Sequence, residues 1–85
     1  MVIKLKKEMS EILLNEVEGI EPLVVDRREK SEDIVELDLS DIGEVQFLIN
    51  DEIVYRGLDN QETVNDMGKK LYALYDEILY QKHDN

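Results

Sequence analysis

No cysteine occurs among the 85 residues. Disulfides, thiolate nucleophiles and zinc–thiolate sites are therefore excluded, and so short a chain must fold on packing alone. Tryptophan is absent, phenylalanine occurs once, and the single histidine is His83, near the chain end. Ser10, Ser31, Ser40 and Thr63 have no base at a recognisable spacing, so general-base and nucleophilic chemistry lack their parts. Gly19, Gly43, Gly57 and Gly68 fall into no phosphate-cradling motif. The N-terminal segment's longest apolar run, Ile12-Leu13-Leu14, is too short for a signal-peptide core or a membrane span. A non-enzymatic, cytoplasmic protein without cofactor or metal is expected.

Basic residues are also scarce. Ten Lys and Arg face 21 Asp and Glu, for a net charge of −11. Such a chain repels nucleic-acid phosphate and anionic lipid, which are bound by clustered Lys and Arg. The excess is central, since residues 16–66 hold sixteen acids against four bases. Within that stretch, SEDIVELDLSDIGEVQFLINDE (31–52) carries eight carboxylates and no base.

What is present patterns as an α+β domain. Leu5, Met9, Ile12, Leu13 and Val17 recur at helical spacing and predict a helix over 3–18, with Gly19 as its cap and Pro22 barring continuation. PLVVDRR makes residues 23–28 a candidate short edge strand. Val35, Leu37 and Leu39 alternate with acids over 33–39; Val45, Phe47 and Ile49 alternate with polar residues over 44–50. Ile53 and Tyr55 extend the pattern over 52–57. Two three-residue loops, Asp41-Ile42-Gly43 and Asn50-Asp51-Glu52, would join these strands with every apolar residue on one face. A second helix is predicted over 59–82. Its N-terminus would be set by Asp59 and Glu62, and Val64, Met67, Leu71, Leu74, Tyr75 and Ile78 form its stripe. The expected fold is a single two-layer α+β sandwich: helix, antiparallel meander of three or four strands, helix (α-β-β-β-α).

A calcium loop is tested by DLSDIGEVQFLI, where Asp38, Ser40 and Gly43 match. Ile42 and Ile49 occupy the positions that need oxygen ligands, and the match fails. The sharper candidate is the outer face of the expected meander. There Ile34, Leu48 and Val54 would form an apolar island among Glu36, Asp38, Glu44 and Glu52, with Asp41 and Asp51 in the hairpin loops. An apolar centre with a polar rim is the anatomy of a contact surface. Tyr80, on the polar side of the last helix, is a further contact candidate.

These features suggest an inhibitor or adaptor whose carboxylates meet a basic, nucleic-acid-binding partner such as a nuclease, standing in for phosphates. In overall plan and charge the chain resembles small acidic phage anti-CRISPR and anti-restriction proteins. The resemblance lies in architecture and charge, and implies the same nucleic-acid mimicry. The alternative is a housekeeping or regulatory homodimer whose acidity serves solubility.

Overall fold

The computed structural model describes residues 1–56 and 65–83. Its first element is a strand, β1 (Val2–Lys6), where a helix is expected. Within VIKLK, Ile3 and Leu5 are buried while Val2, Lys4 and Lys6 are exposed, the period of a half-buried strand. Helix α1 is correspondingly shorter than 3–18. It runs Lys7–Glu16, because Lys6 has an extended backbone (φ −59°, ψ 147°) and Val17 is extended again. Leu5 suits a helical stripe with Met9 and Ile12 as well as it suits a strand, so spacing alone misplaces the start. Beyond α1, Gly19 takes the left-handed conformation (φ 85°) with the Leu48 methyls 3.7 Å from where a Cβ would lie. Any side chain there would be strained.

A 3₁₀ turn at Glu21–Leu23, with Pro22 in it, leads into β2 (Val24–Glu29) and then β3 (Ile34–Leu39). The sheet is antiparallel in the order β1-β3-β2, with Ile3 opposite Leu37, Leu5 opposite Val35 and Arg28 opposite Glu36. The α+β class, with a three-stranded antiparallel sheet flanked by helices, is the one expected. Its outer strands are β1 and β2.

The strands expected over 44–50 and 52–57 are a correction. Residues Ile42–Arg56 form one helix, α2. Asp41 is its N-cap and no hairpin loop: its Oδ1 accepts the Glu44 N–H at 3.1 Å and its carbonyl accepts the Val45 N–H at 3.0 Å. Asp41 and Glu44 have the spacing of a capping box. Val45, Ile49 and Ile53 repeat every fourth residue and are buried, whereas Phe47, Val54 and Tyr55 face outward. Val45 and Ile49 belong to both periods, since four is a multiple of two and also about one helical turn.

Helix α3 (Asp66–His83) overlaps the predicted 59–82. Asp59, Glu62 and Val64, assigned to its start from sequence, lie outside the described residues, as does Gly57. Asn65 caps α3, its Oδ1 accepting the Gly68 N–H at 2.8 Å while its Nδ2 donates to the Arg56 carbonyl at 2.8 Å. The core joins Ile3, Leu5, Val35, Leu37 and Leu39 of the sheet to Leu13, Ile49, Leu71, Leu74 and Ile78 of the helices. All three helices thus contribute to one apolar layer on one sheet face. Gln81 of α3 also closes the β1 edge, its Oε1 accepting the Lys4 N–H at 2.9 Å and its Nε2 donating to the Lys4 carbonyl at 2.6 Å. Among the described residues, no helix is long and apolar enough to cross a membrane.

Candidate partner-binding surface

The open sheet face is not the acidic surface expected. Strand parity puts Lys4 and Lys6 beside Glu36, Asp38 and Ile34, with Asp26 and Arg28 on the far strand. Glu36 is 8% exposed, held by Arg28 Nη2 at 2.7 Å and Lys30 Nζ at 3.7 Å. Asp38 pairs with the N-terminal ammonium at 3.5 Å. Ile34 is half-buried in a shallow recess with Lys6, Lys7, Glu8 and Asp33. Bases and acids alternate here, and the central carboxylate is neutralised at close range.

The acid excess lies on the helical side. Residues 7–23, 40–56 and 65–83 carry twelve carboxylates against five bases, whereas residues 2–6 and 24–39 carry six against five. Folding therefore concentrates negative charge opposite the open sheet face.

Leu48 and Val54 do not join Ile34 and Glu36 in an apolar island, because α2 carries them away from the sheet. Six of the ten predicted contact residues do share α2 or its cap: Asp41, Glu44, Leu48, Asp51, Glu52 and Val54. They point in different directions. Asp41 is used in capping. Leu48 is half-buried against Gly19. Glu52 turns toward α1, accepting the Glu18 N–H at 3.2 Å and Arg56 Nε at 2.7 Å. Glu44, Asp51 and Val54 face outward, and Glu44 and Asp51 make no ion pair among the described residues. Tyr80 is exposed on α3.

Sequence reasoning missed the aromatic half of this surface. Phe47 and Tyr55, expected in the core, are 60% and 84% exposed, flanking Asp51 and Val54 on the outer side of α2. Four-residue steps from Phe47 to Asp51 to Tyr55 mark one helix face, a signal hidden while the segment reads as alternating.

Between α1 and α2 this face runs into a groove of about 590 Å³ lined by Asn15, Glu16, Glu18, Leu48, Asp51, Glu52, Tyr55 and Arg56. Arg56 ties its walls together. It bonds Glu16 Oε2 at 3.2 Å and the Glu16 carbonyl, as well as Glu52. The Glu52 hydrogen bond, opposed by some desolvation and reinforced by Glu16, raises the Arg56 pKa above its ordinary value. Among the described residues, no three metal-ligating side chains converge. The arrangement suits contact with a cationic surface. Compared with protein-family models, curated proteins and solved structures, the chain finds no match.

Proposed function

We propose that this is a small, non-catalytic binding protein of the cytoplasm, an inhibitor or adaptor that engages a basic, nucleic-acid-binding partner through its helical side. The observation that carries the proposal is the pairing of exposed Phe47, Val54 and Tyr55 with the carboxylates of Glu44 and Asp51, which make no ion pair among the described residues, on one face of α2. Aromatic anchors supply contact energy on desolvation, and surrounding carboxylates speed encounter with Lys- and Arg-rich surfaces. Carboxylates spaced along a helix can occupy a channel built for phosphates, which fits a nuclease or a similar enzyme. The same charge disfavours direct contact with nucleic acid.

The deciding experiment is capture of partners on immobilised protein, eluted with a salt gradient, followed by affinity measurement on the purified partner. A basic nucleic-acid enzyme should bind the native protein and lose about tenfold or more in affinity to Phe47→Ala with Asp51→Asn. Undiminished binding by that double variant would rule out this face.

The exposed apolar residues of α2 also favour a second reading, a homodimer joined there. Its test is Val54→Glu, at an exposed position, since Leu48 is half-buried against Gly19; a native protein that stays monomeric by light scattering at high concentration would dismiss the dimer.

A further inference from the structure

A second groove, of about 490 Å³, lies between α1 and α3 and is lined by Glu8, Met9, Glu11, Ile12, Asn15, Glu16, Met67, Lys70 and Ala73. Its apolar surface comes from Met9, Ile12, Met67 and Ala73. Glu8, Glu11 and Asn15 are exposed along one side of α1 at three- and four-residue steps. Neither Glu8 nor Glu11 makes an ion pair among the described residues. The groove shares Asn15 and Glu16 with the one between α1 and α2, so the two surfaces are continuous.

From this geometry we infer that the groove seats an amphipathic helix of the partner, its apolar stripe on the methionine-lined floor and its Lys or Arg residues against Glu8 and Glu11. The inference rests on the functional reading above and specifies the partner's contact element. Four considerations select this occupant. Carboxylates at helical steps match cations repeating at the same steps on a helix lying alongside. Thioethers adapt to varied apolar shapes, as helix-binding grooves require. A strand has no equivalent berth: Gln81 closes the β1 edge, and β2 offers the charged run Asp26-Arg27-Arg28-Glu29 with a register shift after Val24. A second copy of this acidic chain would bring carboxylates to carboxylates.

The test uses the full chain and a fluorescent synthetic peptide with Leu at helical spacing and Lys elsewhere, beside a scrambled peptide of equal composition. Binding is read by anisotropy, and contact sites by amide chemical shifts. The patterned peptide should bind at least about tenfold more tightly than the scrambled one and shift Met9, Ile12, Met67 and Ala73. Ala73→Arg, at an exposed helical position, should keep the native circular dichroism and weaken binding about tenfold, and Glu8→Gln with Glu11→Gln should flatten its salt dependence. Equal binding of the two peptides, or indifference to Ala73→Arg, would overturn the inference. Shifts confined to Phe47, Asp51 and Tyr55 would overturn the groove while leaving acidic recognition intact. No binding by either peptide, together with no basic partner on capture, would remove both.

Discussion

Asp41 Oδ1 accepts the backbone N–H of Glu44 at 3.1 Å, and that bond starts a helix where alternation suggested a hairpin. Asp41→Ala should therefore lower stability by about 0.5–2 kcal/mol, the usual loss for an N-cap, while Asp41→Asn retains most of it. Urea denaturation followed by far-ultraviolet circular dichroism measures both. In a hairpin the ranking would follow turn geometry, with no special loss on removing this carboxylate.

The two faces of α2 make opposite predictions. Ile49 is fully buried, so Ile49→Ala should destabilise by about 2–5 kcal/mol. Phe47 is exposed, so Phe47→Ala should change stability by no more than about 0.5 kcal/mol. Denaturant midpoints of the two variants test this. Comparable large losses at both positions would return Phe47 to the core and refute the helix.

Glu36 is the most enclosed carboxylate of the open sheet face. Removing Arg28 should leave it poorly compensated, although Lys30 remains at 3.7 Å and Arg28 is itself half exposed. Solvent screening keeps the Arg28–Glu36 coupling to about 1 kcal/mol, which a double-mutant cycle measures. Glu36→Gln should also leave partner affinity unchanged, because the proposed contact surface lies on the helices.

Gln81 supplies a side-chain substitute for a fourth strand at Lys4. Gln81→Ala should speed hydrogen exchange at the Lys4 amide much more than at Leu37 in the central strand. The accompanying loss of stability should be about 1–2 kcal/mol, as for exposed hydrogen bonds of this kind. Unchanged exchange at Lys4 would mean that the clasp does not protect the edge.

Arg56 joins α2 to the end of α1 through Glu52, Glu16 and the Glu16 carbonyl. Its raised pKa means that folding favours the protonated form, so this contribution is complete below the ordinary arginine range and would fade only as pH rises through the folded value. Arg56→Ala should loosen the α1–α2 groove, seen as faster exchange at the Glu18 amide, which donates to Glu52. Arg56→Lys should rescue it only in part, since an ammonium cannot reproduce the fork that spans both carboxylates.

Much of this molecule was legible in the sequence. Val35, Leu37 and Leu39 mark β3, all three buried on one side of the strand, and Leu71, Leu74 and Ile78 mark α3 by the helical period. Charge and the absence of cysteine followed from composition, and the α+β class from the mixture of helical and alternating patterns. The segments that misled, 2–6 and 42–56, contain residues compatible with both periods. Tertiary structure decided them together. Once Ile3 and Leu5 pair with Leu37 and Val35, β3 has neighbours on both sides, and residues 42–56 are left to cover the sheet, where Val45, Ile49 and Ile53 reach the core only from one face of a helix. That choice turned Phe47 and Tyr55 outward and moved the acidic surface from the sheet to the helices. Sequence determined how much charge and apolar surface the protein has; three-dimensional pairing decided where they meet, because an edge strand is chosen by partners distant along the chain.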